Sequence, residues 1–122
     1  MDVTTLPESA TCELTTRGRR SGRESRIEIW YVVADGRLVI TGTPGRRDWL
    51  ANLRADPRAR LHLRGRDVDV VAHEITDPDE RRHVVREVWR VQPWYSRQAS
   101  SIDAWVARAP IVVLREADTR AA

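Results

Sequence analysis

Two short stretches of this chain combine arginine, glycine and hydroxyl side chains: Thr15-Thr16-Arg17-Gly18-Arg19-Arg20-Ser21-Gly22-Arg23 and Thr41-Gly42-Thr43-Pro44-Gly45-Arg46-Arg47. Arginine offers a planar fork that pairs with phosphate or carboxylate in a bidentate way. Glycine lets the backbone approach a ligand closely, and Ser21, Thr41 and Thr43 add hydroxyl donors. The chemistry these residues can do together is to hold an anion. All 21 basic residues are arginine, and the chain has no lysine and no phenylalanine. A GC-rich coding bias produces that composition, so the placement of the arginines carries more than their number. No nucleophile–base pair is visible. His62, His73 and His83 are scattered without metal-ligand spacing, which predicts structural or surface roles and no metal site.

The elements that position these stretches follow from apolar periodicity. Thr11–Thr16 alternates, with Cys12 and Leu14 on one face. Arg26–Ala34 also alternates, with Ile27, Ile29, Tyr31 and Val33 on one side and Glu28, Trp30 and Val32 on the other. Asp35-Gly36 between that run and Arg37–Thr41 is a hairpin signal. Asp48–Asp56 reads as a short helix, capped by Asp48 and ended by Pro57. Arg58–Arg64 and Asp67–Ile75 form a second alternating pair around Gly65. Asp77-Pro78-Asp79-Glu80 opens a helix running to about Val91: a cap, a proline at the first position and an acid three residues on. Ser101–Arg108 is a shorter helix, and Pro110–Leu114 a last strand. The order β-β-β-α-β-β-α-α-β, with tight turns between neighbouring strands, predicts a closed or half-closed antiparallel barrel with helical cover rather than a parallel sheet.

A two-residue Asp35-Gly36 turn fixes register, so paired positions sum to 71. Arg26 then falls opposite Gly45 and Glu28 opposite Thr43. Seven arginines (17, 19, 20, 23, 26, 46 and 47) gather at one end of the hairpin. The second stretch also feeds the helix start near Asp48, which favours anions through its free N–H groups and dipole. The plainer alternative is two solvated turns in an arginine-rich chain.

With these pieces in order, the chain resembles the deazaflavin-dependent nitroreductase and quinone reductase family. The resemblance rests on Thr-Thr-x-Gly-Arg-x-Ser-Gly at Thr15–Gly22, the Asp35-Gly36 turn, Gly42–Gly45 and Trp-x-x-Asn-Leu-x-Ala-Asp-Pro at Trp49–Pro57. It covers Leu14 to Val71 and returns weakly over Trp105 to Leu114. The resemblance implies a split β-barrel of the FMN-binding type and coenzyme F420, a deazaflavin carrying a phosphate and an oligoglutamate tail, as cofactor. It implies hydride transfer from the reduced cofactor to a quinone, nitro compound or enone, with no catalytic side chain required. Arg19, Arg20, Ser21 and Gly22 match the family's phosphate-binding turn, with Arg20 where lysine is usual, and Arg26 lies close by. Thr41, Gly42, Thr43, Pro44 and Gly45 match the second loop, shorter here and without the usual Lys-Gly-Gly, and Arg46 and Arg47 compensate. Trp49 and Asn52 match the helix that lines the cofactor. Glu28, Trp94 and Tyr95 are the weaker candidates for substrate contact.

FMN on the same barrel is the nearest rival, since it too carries a phosphate. A non-catalytic ligand carrier is another. A nucleic-acid module is a third, disfavoured because the Arg17–Arg26 turn holds no aromatic platform. The 122 residues suit one domain. The lone Cys12, read as core-facing, cannot form an internal disulfide and fits a reducing, cytoplasmic setting. The N-terminus lacks signal-peptide character, no apolar run is membrane-spanning, and 118–122 is expected to fray. Homodimer formation through the sheet is the family's expectation. Trp30, Trp49, Trp89 and Trp105 read as core. The face Arg81, Arg82, Arg86 and Arg90 reads as a solvated helix side.

Overall fold

The computed structural model describes residues 1–98 and 100–117; the 118–122 tail lies outside the described residues. Six antiparallel strands close into a barrel in the order β1-β2-β3-β6-β5-β4. They are β1 (Ser9–Arg17), β2 (Glu24–Ala34), β3 (Arg37–Thr41), β4 (Arg58–Leu63), β5 (Arg66–Glu74) and β6 (Ile111–Glu116). Helix α1 (Asp48–Ala55) joins β3 to β4, while α2 (Pro78–Val91) and α3 (Ile102–Arg108) join β5 to β6. No helix among the described residues is long and apolar enough to cross a membrane.

The β2–β3 and β4–β5 hairpins each turn on two consecutive left-handed residues, Asp35-Gly36 (φ 53° and 71°) and Arg64-Gly65 (φ 55° and 76°). That backbone matches the twist of the flanking strands and sets their register. Alternation then sorts the side chains into two cores. Leu14, Tyr31, Leu38, Ile40, Leu61 and Leu114 fill the barrel, and Trp49, Leu50 and Leu53 of α1 pack into the same cluster. Val32, Ala34, Val39 and Val113 point outward and meet Val84, Val85 and Val88 of α2 and Trp105 of α3. Asp77 caps α2 through Glu80 N (2.9 Å), and Ser101 caps α3 through Ala104 N (3.1 Å).

Several expectations need correction. The sum-of-71 register holds only from Ala34–Arg37 to Tyr31–Ile40. Beyond Thr41 the chain leaves the sheet through Gly42–Gly45 to feed α1, so Arg26–Gly45 and Glu28–Thr43 are not pairs. The first half of β2 pairs with β1 alone, Arg26 opposite Thr15 and Glu28 opposite Glu13. Trp30 is 48% exposed rather than core, because the helical cover of its face stops at Val32. Trp89 is only half-buried. Arg81 is buried among carbonyls rather than solvated. The cap position of α1 is Arg47, with Asp48 already inside the helix and no side chain capping it. Cys12 does face the barrel core, where burial pushes its thiol up to about 12.

Candidate functional site

The Gly42–Arg47 loop separates two cavities. On one side lies a chamber of about 500 Å³ walled by Ile29, Trp30, Trp94 and Tyr95, with Glu28, Thr41, Gly42 and Thr43 along its rim. On the other lies a cleft of about 930 Å³ bordered by Arg19, Arg46, Arg54, Arg81 and Arg108, with the acids Asp48 and Glu74. Arg47 lines both.

The chamber is built on an aromatic stack that begins in the second core. Trp89 meets the fully buried Trp105 edge-on at 5.7 Å between ring centroids, Trp105 meets Tyr95 at 5.3 Å, and Tyr95 meets Trp94 at 5.4 Å. Such edge-to-face pairs fix ring orientation beyond simple burial. Tyr95 is buried, and burial pushes its hydroxyl pKa up, which keeps it protonated. Trp94 is 51% exposed, and with Trp30 it leaves a planar apolar surface at the mouth. Thr41 spends its hydroxyl proton on Pro110 O (2.6 Å), which pins the end of β3 where the loop departs. Glu28 has no ion-pair partner among the described residues.

The cleft is basic, and most of its charges have assigned partners. Arg54 grips Glu74 through two bonds of 2.8 and 2.6 Å, which hold the Glu74 carboxyl below the usual range. Arg81 is spent on backbone carbonyls. Arg46 and Arg108 are exposed, and Arg19 reaches Asp48 at 3.3 Å. The first-turn amides of α1 carry no side-chain cap, and free amides at a helix start favour an anion. Gly45 takes φ +144°, a backbone that side-chain-bearing residues rarely adopt, and its N–H reaches Arg108 O at 3.5 Å.

The predicted residues divide accordingly. The chamber brings together Thr41, Gly42, Thr43, Glu28, Trp94 and Tyr95, and the cleft Arg19, Gly45 and Arg46. Pro44 completes the loop. Arg20, Ser21 and Gly22 stand exposed on the first turn, where Ser21 Oγ accepts from Arg23 N (3.1 Å). Arg26 is not part of this group: it pairs with Glu13 at 2.5 Å on the outer face of β1 and β2. Arg17 is likewise drawn to Asp56. Trp49 and Asn52 line neither cavity. Trp49 packs into the barrel cluster, and the buried Asn52 bonds Arg19 and Thr16. Trp30 was missed as a site residue. Its place on the outward face beside Glu28 was the available signal.

This geometry suits a ligand with a flat ring at one end and anionic groups at the other. Residues 2–116 match the model of the F420H(2)-dependent quinone reductase family. The chain belongs to that family. It is an oxidoreductase, and coenzyme F420 is its cofactor. The donor set fits that group: guanidiniums and free amides for phosphate and carboxylates, and, across the loop, an aromatic chamber where its ring can meet a planar substrate. Solved structures repeat the barrel of this F420-dependent oxidoreductase. One described as an F420-H2 dependent reductase, FDR-A, superposes with a TM-score of 0.66 at 20% identity, over 86% of this chain and 93% of that one. One described as a domain-swapped dimer gives 0.66 at 20% identity, over 86% and 79%. A putative 5-nitroimidazole antibiotic resistance protein from Bacteroides thetaiotaomicron gives 0.64 at 12% identity, over 95% and 76%. At these identities the likeness is one of fold.

Proposed function

We propose that this F420-dependent oxidoreductase reduces a quinone-type planar electrophile in the Trp30–Trp94 chamber, with the cofactor's anionic end in the arginine cleft. The observation that carries the reading is the juxtaposition of the two cavities across one short loop. When bound, reduced F420 supplies the hydride. The chain supplies position, exclusion of water and a proton-bearing group. Trp94 and Trp30 hold a flat apolar substrate by ring contact. The Tyr95 hydroxyl, its pKa raised by burial, donates a hydrogen bond to a substrate oxygen as it gains charge. Arg19, Arg20 and Arg46 hold phosphate and carboxylate.

Titration of the purified protein with F420 and, separately, with FMN tests this, read by quenching of tryptophan fluorescence. F420 is expected to saturate and FMN not to. FMN binding without F420 binding would overturn the cofactor placement. Trp94→Ala is expected to raise the quinone KM about tenfold while the F420 Kd changes less than about twofold, because the ring contact is on the substrate side. Equal losses in both would move Trp94 to the cofactor. We further infer a homodimer in which the partner covers the mouth of the substrate chamber, since Trp30 and Trp94 leave half-exposed aromatic surface there of the kind interfaces cover. Sedimentation velocity would read twice the 14.0 kDa chain mass, and a monomer at micromolar concentration would argue against it.

A further inference from the structure

Arg47 behaves unlike the other arginines of the site. Its guanidinium folds back over its own loop, donating to Thr43 O at 2.8 Å, Thr43 Oγ1 at 3.2 Å and Arg46 O at 3.2 Å. Three of its five N–H groups are therefore used, and two remain. Two glycines make room for it. A Cβ on Gly42 would stand 3.0 Å from one terminal nitrogen of Arg47, and a Cβ on Gly45 would stand 3.1 Å from the other.

The residue at this position has a second consequence. Arg47 occupies the cap position of α1, where Ser, Thr, Asp or Asn would spend a side-chain oxygen on the helix amides. A guanidinium has no acceptor to offer them, so those amides stay uncapped beside the cleft. Among the described residues, Arg47 alone lines both cavities.

We propose that Arg47 is a positioning residue that clamps the Gly42–Arg47 loop into its cofactor-receiving shape before the cofactor arrives. It also presents its two remaining N–H groups where chamber and cleft meet. The inference rests on the cofactor reading above and adds to it a role that charge alone does not fill. A plain cation would be replaceable by lysine. A clamp is not, because an ammonium is one point with three donors and cannot span the Thr43 and Arg46 carbonyls while facing outward. Pre-forming the loop removes an ordering cost that binding would otherwise meet.

The test is a set of F420 titrations on Arg47→Lys, Arg47→Gln, Gly42→Ala and the Gly42→Ala/Arg47→Gln double variant, with melting temperatures measured without cofactor. Arg47→Gln is expected to raise the F420 Kd about 30-fold, with Arg47→Lys within about threefold of it. The F420 KM should follow the Kd, while kcat at saturating cofactor falls less than about threefold. Gly42→Ala should weaken binding about fivefold alone and less than about twofold once Arg47 is glutamine, because its Cβ acts by displacing the guanidinium. Melting temperatures should stay within roughly 3 °C, since the loop is a small part of the packed structure. Full rescue by lysine, or additive effects in the cycle, would overturn the clamp while leaving the cofactor reading intact. A wild type that takes up no F420 would sink the cofactor reading first, and this inference with it.

Discussion

Replacing Arg81 by methionine is expected to cost about 4 kcal/mol of stability, of the order seen when a buried charge network loses one member. Arg81 lies on α2 with only 8% of its surface exposed. Its guanidinium donates to Val106 O at 2.6 Å, Ala109 O at 2.6 Å, Ile75 O at 2.8 Å and Trp105 O at 3.4 Å. Three of these carbonyls lie at the end of α3, where the dipole favours a cation; Trp105 O also accepts from Ala109 N at 2.9 Å, while Val106 O and Ala109 O lie past the last helical donor. The fourth follows β5. One planar group thus ties the connection after β5 to the end of α3. Burial pushes the Arg81 pKa down, and the Glu74 carboxylate opposes that shift; the guanidinium remains charged.

Methionine removes the charge with little loss of packing, so the cost isolates the carbonyls left without donors. The rule that a hydrophobic replacement of buried charge is often tolerated applies when both partners are replaced. Here the partners are backbone and stay behind. Arg81→Lys should recover less than half of the loss, because three donors at one point cannot serve four dispersed acceptors. The midpoint of thermal unfolding should fall on the order of 15 °C for Arg81→Met. A loss below about 1 kcal/mol by denaturant titration would mean that water replaces the guanidinium. F420 affinity should weaken as well, since Arg108 O, at the end of α3, accepts from Gly45 N.

Arg81 also marks the boundary of what the sequence makes legible. Local signals survive intact: left-handed turn residues at Asp35-Gly36 and around Gly65, the Asp77 cap, and two-residue alternation through β1 and β2. Each depends on neighbours in the chain, so each can be read there. Alternation separates the two faces of a strand but does not say what lies on either. Val32 and Trp30 share a face, yet only Val32 lies under the helices. For Arg81 a signal existed. It stands three, four and seven positions before Val84, Val85 and Val88, on the buried stripe of α2, and its charge outweighed its position. Arg26 and Arg17 lay near the arginine turn in sequence, but Glu13 claims Arg26 through the β1–β2 register, and Asp56 claims Arg17 only once β4 closes on β1. The hairpin register failed past Thr41 because Pro44 and Gly45 turn the chain toward α1. The arginine turn still reaches the cleft, held there by a helix residue rather than by the hairpin.

That residue is Asn52, and Asn52→Leu is expected to raise the F420 Kd about 30-fold while lowering stability by about 2–3 kcal/mol, the cost of breaking a buried polar network. Asn52 is 5% exposed and touches neither cavity. Its Oδ1 accepts from Arg19 N at 3.1 Å and from the Arg19 guanidinium at 2.9 Å, and its Nδ2 donates to the buried Thr16 Oγ1 at 3.1 Å. It therefore anchors the first residues of the arginine turn to α1 and fixes where Arg19 stands. Leucine matches its bulk but leaves Arg19 N and Thr16 without partners, so the turn comes loose while the barrel core keeps its packing. Aspartate separates positioning from bulk. Its carboxylate accepts both Arg19 bonds, and the Thr16 hydroxyl can rotate to donate instead. Asn52→Asp should hold F420 within about threefold of wild type. If Arg19 carries the effect, Asn52→Leu will add less than about threefold in an Arg19→Ala background, because residues in one network are not additive. Independent losses in that background would place Asn52 against the cofactor itself, and an Asn52→Leu protein that binds F420 normally would show that the turn keeps its place without it.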